Sequence, residues 1–262
     1  MQPMKPSVAL SALLGGTLLS GSTFGAATLD AAGSAADSAP GAWPDNFLSR
    51  VEALALLQTL NTELLSHDSA TQTLQQWCAA HQLAAAPRIL AEPVRAAPRP
   101  PSDEQRATLR VSVSDEVRYR HVRLRCGPVV LSEAENWYVP GRLTVEMNRQ
   151  LETTDAPFGP VVRELQFQRH TLSARLLWSP LPPGWEMSAA DADAAAGAAA
   201  AAAVAVAVDA NQGTGQRAKT LRVPAAVLEH HAVLTLPDGT PFSLLVESYT
   251  DDVLAFPPPP TG

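Results

Sequence analysis

The spacing of apolar positions changes along the chain, and each change marks an element. Phe47, Val51, Leu54, Leu57, Leu60 and Leu64 recur at helical spacing behind Asp45 or Asn46, either of which can cap a helix over Phe47–Leu65. His67-Asp68-Ser69 breaks the run. Asp68 or Ser69 can cap a second helix, Ala70–Leu83, with Leu74, Trp77 and Cys78 facing inward. The pair predicts a helical hairpin that Pro87 ends. Ile89–Val94 can form a first strand, and the proline- and arginine-rich stretch Arg95–Asp103 reads as a loop.

From Glu116 to Arg125 the period becomes two. Val117, Tyr119, His121, Arg123 and Arg125 share one face, and Arg118, Arg120, Val122 and Leu124 the other, which predicts a strand. Gly127-Pro128 turns the chain, and Val129–Val139 returns as a second strand that Pro140 stops. Leu143–Leu151 reads as a short helix and Pro157-Phe158-Gly159-Pro160 as a turn. A helical turn at Val161-Val162 and a strand over Leu165–Leu177 follow. Beyond the breaker cluster Pro180–Gly184 the pattern is lost. Residues 188–216 are mostly alanine with Asp, Gly and Val, and read as a low-complexity insertion in a loop. Leu221–Leu236 and Thr240–Phe256, joined through Pro237-Asp238-Gly239, predict a closing hairpin. Helices followed by hairpin-connected strands imply a single α+β domain with an antiparallel sheet over 46–256. The insertion belongs inside it, because neither half alone has enough strands for an independent sheet.

Composition adjusts this picture. Apolar residues make up 46% of the chain but aromatic ones only 5%, so much of the apolar count is alanine, which buries little area. A net charge of -7 argues against a nucleic-acid partner, which needs a basic face. Lys5, the apolar run Val8–Leu19 and the small residues Gly25-Ala26-Ala27 make 1–27 read as an export signal. The alternative is an alanine-rich extension. Residues 28–45 then form a flexible linker and 257–262 a proline-rich tail. Val8–Leu19 and Ala194–Val208 are both too short to cross a bilayer, so no integral membrane segment is expected after processing. The expected location is periplasmic or secreted, with the cytoplasm as the alternative. Two cysteines, Cys78 and Cys126, permit one disulfide in an oxidising compartment; two buried free thiols are the favoured reading. No Cys pair or His spacing suggests a metal site.

In order and spacing, several short pieces resemble the chorismate–pyruvate lyase family and the effector-binding domains of GntR-type regulators that share its fold. They are Leu65-Ser66-His67-Asp68-Ser69 with Leu74-Gln75-Gln76, then Arg118-Tyr119 through Cys126, then Trp137-Tyr138-Val139-Pro140. Ala156-Pro157-Phe158-Gly159 follows, and finally Asp238-Gly239-Thr240-Pro241 leading to Glu247. No helix-turn-helix pattern precedes them, which argues against a two-domain regulator. The resemblance implies a pocket closed from solvent, in which arginines bind carboxylates and a glutamate on the last strand contacts a ring hydroxyl. It implies elimination of pyruvate from chorismate to give 4-hydroxybenzoate, with no cofactor and no metal. The alternative is a non-catalytic, exported binding module for an aromatic carboxylate.

Carried over residue by residue, the principal family arginine falls on His121 and the second on Asn136. Arg123, on the same strand face as His121, can supply the guanidinium instead, while Arg120 is expected to point away. Glu247 matches the final glutamate, although the run from Pro241 holds one extra residue, which would reverse its face unless a bulge absorbs it. Phe158-Gly159 matches a step whose backbone approaches the ligand. The expected catalytic set is therefore Glu247, Arg123 and His121, and the expected substrate-binding set Asn136, Phe158 and Gly159. A small-molecule carboxylate is the expected partner.

Overall fold

Asn46 starts the first helix, its side chain accepting a hydrogen bond from the Ser49 backbone N–H at 2.9 Å. This helix, α1, spans Phe47–Ser66 in a computed structural model that describes residues 42–95, 97–187 and 219–258. The expected export signal, most of the linker, the insertion and the end of the tail lie outside the described residues. All described residues fall within one compact unit, Ser38–Gly262.

Helix α1 buries Ala53, Leu57, Leu60 and Leu64, whereas Phe47, expected on the inner face, is 48% exposed and meets Trp185 edge-on. Ser69 caps α2, Ala70–Ala80, by accepting from the Gln72 N–H. The helix stops short of Leu83 because Gln82 adopts a left-handed conformation with φ 54°. Helix α3, Asp103–Leu109, had not been expected. A capping box between Ser102 and Gln105 starts it inside what reads as a loop. Helices α4, Val145–Thr153, and α5, Phe158–Val162, complete the set, the latter where a turn was expected.

Six strands form one sheet: β1 Ile89–Pro93, β2 Arg118–Cys126, β3 Val129–Tyr138, β4 Gln168–Leu176, β5 Ala226–Thr235 and β6 Pro241–Thr250. Their order is β1-β2-β3-β6-β5-β4, with every neighbour antiparallel. The fold is α+β. Gly127 makes the β2–β3 turn at φ 57°, where a Cβ would stand 2.7 Å from the Ala84 Cβ, so only glycine fits. At the β5–β6 turn Gly239 has φ 80°, and the Asp238 carboxylate accepts from the Thr240 N–H at 2.8 Å.

One face of the sheet is covered. Leu57, Leu60, Leu64, Leu74 and Trp77 from α1 and α2 pack with Val122, Leu124, Leu131, Leu228 and Tyr249 from the strands. Each fully buried aliphatic side chain there contributes about 1.5–3 kcal/mol. At the other end Met147, Leu151, Phe158 and Val162 close over Leu234, Phe242 and Leu245. Among the described residues, the opposite face packs Leu109 of α3 and its surroundings against Trp137, Val139 and Leu244. The rest of that face is a row of ion pairs, among them Arg123 with Glu133 at 2.8 Å and Arg125 with Glu92 at 2.7 Å.

The favoured reading of the cysteines as free thiols is corrected. Cys78 on α2 and Cys126 at the end of β2 are joined in a disulfide, and both are fully buried. Docking of α2 on the sheet brings their Cα atoms to 6.5 Å, within bridging range.

Candidate functional site

A cavity opens where the N-terminal turn of α2 and the start of α5 stand over the middle of the sheet. Asp68, Ser69, Ala70 and Thr71 form one wall, and Phe158 and Gly159 another. The floor is made by Arg120, Val122 and Leu124 of β2, Ala134 and Asn136 of β3, and Leu245 and Glu247 of β6. Phe167, Arg169 and Leu234 complete it. The cavity volume is about 40 Å³, and most of its lining side chains are apolar. Gly159 stands close to the α2 wall: a Cβ there would lie 3.4 Å from the Ser69 hydroxyl oxygen.

Pleating explains which side chains meet. Arg120 pairs in register with Asn136, and Asn136 with Leu245, so the three share a row. Val122, Ala134, Glu247 and His230 form the next row on the same face. The extra residue before Glu247 is absorbed at the hairpin. Leu234 pairs with Ser243 and Thr235 with Pro241, which leaves Phe242 unpaired between them and turns Glu247 inward.

The charges in the cavity are unevenly matched. Arg169 on β4 donates to Glu247 Oε2 at 2.5 Å, with the two side chains only 3% and 7% exposed. The Tyr249 hydroxyl donates to the same oxygen at 3.2 Å. Burial presses the Arg169 guanidinium down, but the Glu247 carboxylate outweighs it and holds the pKa above its ordinary value. Burial, reinforced by Glu247, pushes the Tyr249 hydroxyl well up. Asp68, exposed at the mouth, accepts from the Arg169 backbone N–H at 3.1 Å. Arg120 differs from Arg169. It donates to the Ala156 carbonyl at 3.0 Å, and among the described residues no carboxylate pairs with it. Burial lowers its pKa, yet a guanidinium remains charged at any ordinary pH. Asn136 is 4% exposed, and its Oδ1 accepts from the Ser243 hydroxyl at 2.7 Å, leaving Nδ2 buried without a partner among the described residues. The Arg169 Nε is likewise buried and without a partner among the described residues. Among the described residues, then, one cation without a carboxylate partner and two N–H donors without acceptors stand beside an apolar space, a chemistry that suits an anion.

Of the residues singled out from the sequence, the structure brings Glu247, Asn136, Phe158 and Gly159 to this one cavity. Arg123 and His121 lie on the opposite face of the sheet, where both contact Glu133. The expectation that they share a cavity with Glu247 is corrected, as is the expectation that Arg120 points away. Val122 and Leu124 have the same parity as Arg120 and face the helices, which carries Arg120 inward with them. Arg169 was missed. Its one local signal is that it shares parity with Phe167 in a strand that otherwise reads as amphipathic. Among the described residues no group of three or more His, Cys, Asp or Glu side chains is arranged to hold a metal ion.

Comparison with known proteins adds one decisive match. The uncharacterized protein y4mC of Sinorhizobium fredii is 51% identical over 218 residues, 83% of this chain and 83% of that protein. The chain belongs to the y4mC family. No family model matches it. Solved structures similar to this y4mC relative include the effector domain of PhnF from Mycobacterium smegmatis, with a TM-score of 0.39 and 13% identity over 71% of this chain and 90% of that one. The effector-binding domain of the trehalose repressor TreR of B. subtilis gives 0.32 and 11% over 62% and 91%. The possible transcriptional regulator YydK from Bacillus subtilis gives 0.34 and 12% over 63% of this chain, which spans 58% of YydK.

Proposed function

We propose that this y4mC relative is an exported binding module whose cavity takes a small aromatic carboxylate. The observation that carries the reading is Arg120, a largely buried guanidinium with no carboxylate partner among the described residues, directly opposite Asn136 in the β2–β3 register, whose Nδ2 has no partner there either. A ligand carboxylate accepts from both, and its ring lies against Val122, Phe158, Phe167 and Leu245. The N-terminal turn of α2, which forms the adjoining wall, adds a favourable dipole. Export is supported by the pattern Lys5, Val8–Leu19 and Gly25-Ala26-Ala27, and by the Cys78–Cys126 disulfide, which suits an oxidising compartment.

Calorimetry with 4-hydroxybenzoate tests the reading. A charge-assisted contact contributes about 1.5–3 kcal/mol, so Arg120→Ala is expected to weaken binding by roughly ten- to a hundredfold. Arg123→Ala, on the far face, is expected to leave it unchanged. Failure of the folded protein to bind any aromatic carboxylate sinks the proposal.

The second reading, elimination of pyruvate from chorismate, is favoured by the Glu247 carboxylate in the same cavity. There the ring C–O bond breaks, a ring proton is lost, and the work of the chain is positioning and charge stabilisation. Chorismate is a cytoplasmic metabolite, so an exported chain favours binding without turnover. An absorbance assay with chorismate separates the two: turnover abolished by Glu247→Gln selects the lyase.

A further inference from the structure

The cavity holds four charged groups, and their pairing limits what it can take. Arg169 and Glu247 are already spent on each other at 2.5 Å, deep enough that neither side chain is more than 7% exposed. The Tyr249 hydroxyl at 3.2 Å and the Asp68 contact to the Arg169 backbone at 3.1 Å hold this pair in place from both ends. Among the described lining residues, Arg120 alone is left to meet an incoming charge. We propose that the cavity selects singly charged ligands over doubly charged ones, because Glu247 neutralises Arg169 and leaves Arg120 as the one lining cation that can pair with a ligand charge. The proposal rests on the carboxylate reading above and narrows its ligand class to monoanions that carry, at most, a neutral second polar group.

Charge in so enclosed a space is poorly screened. A first carboxylate on Arg120 leaves the buried groups balanced. A second would meet Glu247 and, at the mouth, Asp68, both negative, while the positive charge of Arg169 is cancelled by its partner. Uncompensated charge in such surroundings is strongly disfavoured. Neutral polarity is treated differently. The Arg169 Nε and Asn136 Nδ2 lack partners. Glu247 uses only Oε2 among the described residues, so Oε1 remains an acceptor. A hydroxyl or amide on the ligand therefore finds partners where a second carboxylate finds repulsion. This also separates the site from one built for chorismate, which carries two carboxylates.

Two ligands of nearly the same shape isolate the charge. In calorimetry at neutral pH with the full chain, 3-carbamoylbenzoate carries one negative charge and isophthalate two. The wild-type protein is expected to bind 3-carbamoylbenzoate at least tenfold more tightly. Glu247→Gln removes the internal counter-charge and frees Arg169, so the ratio should fall by tenfold or more, with isophthalate gaining. Arg169→Gln combined with Glu247→Gln removes both charges together, avoids an unpaired buried ion, and should keep the wild-type ratio whatever its absolute affinity. Equal or tighter wild-type binding of isophthalate overturns the proposal. So does an unchanged ratio in folded Glu247→Gln, or a lost preference in the double variant. Binding of neither acid to the folded wild type removes the carboxylate reading itself, an outcome distinct from binding without discrimination.

Discussion

Cys78 on α2 is bonded to Cys126, the last residue of β2, across 48 residues of chain. The same helix supplies Ser69 and Thr71 to one wall of the cavity, and the same strand supplies Arg120, Val122 and Leu124 to its floor. The bond therefore ties together the two elements between which the cavity lies.

Closing a loop of that length in the unfolded chain corresponds to about 4 kcal/mol on the chain-entropy account. Denaturant unfolding with and without a strong reductant measures it. The oxidised protein is expected to be more stable by that order. The double variant Cys78→Ala/Cys126→Ala should match or fall slightly below the reduced protein, since each alanine also leaves a small gap. Coincident transitions for oxidised and reduced protein count against a structural role for the bond.

His230 sets a pH dependence. It is fully buried, its Nε2 donates to Asn61 Oδ1 at 2.8 Å, and among the described residues Nδ1 has no partner. Burial lowers its pKa from 6.5 to about 4. The folded state thus binds fewer protons than the unfolded state between these values. Stability from this residue is complete above the unfolded value and is lost as pH falls through that window, by about 3 kcal/mol in all. Chemical unfolding at pH 7, 5.5 and 4.5 should show the decline, and His230→Gln should flatten it. An unchanged slope in that variant assigns the pH dependence elsewhere.

Gly127 tolerates no side chain. At φ 57° an alanine is strained, and its Cβ would stand 2.7 Å from that of Ala84. Gly127→Ala should cost about 1–3 kcal/mol, read as a lower unfolding midpoint. Gly141→Ala is the control, since a Cβ there meets nothing within 4 Å. Equal losses in both would count against the steric account.

The expected export signal gives a direct test of compartment. Mass spectrometry of the protein from its own cell should find a mature start near Thr28, after the small residues Gly25-Ala26-Ala27. Intact Met1 in the soluble cytoplasm would remove the export reading and raise the lyase one.

Much of the local structure was legible because it is written in neighbouring residues. Asn46 and Ser69 cap helices, Gly127 and Asp238-Gly239 turn hairpins, and the two-residue period of β2 separates Arg120 from Arg123. The Ser102–Gln105 box was equally local but lay inside a proline-rich stretch that hid it. Four of the six residues singled out for the site, Asn136, Phe158, Gly159 and Glu247, line the cavity; they were positions matched through the resemblance in segment order.

By itself, the sequence determined most of the elements, their order and the parity of each strand. It could not say which parity faces inward. A period of two divides a strand into two sets, and only the packing of helices on one side decides that Arg120 is enclosed and Arg123 solvated. The same holds for contacts made across the sheet. Arg169 and Glu247 stand 78 residues apart in the chain and meet only because β4, β5 and β6 lie side by side in register. Cys78 and Cys126 could bond only once α2 docked on β2 and set their Cα atoms 6.5 Å apart. Short-range stereochemistry is carried by adjacent residues, whereas the cavity, its unpaired arginine and its internal ion pair arise from distances that exist only after the layers have packed.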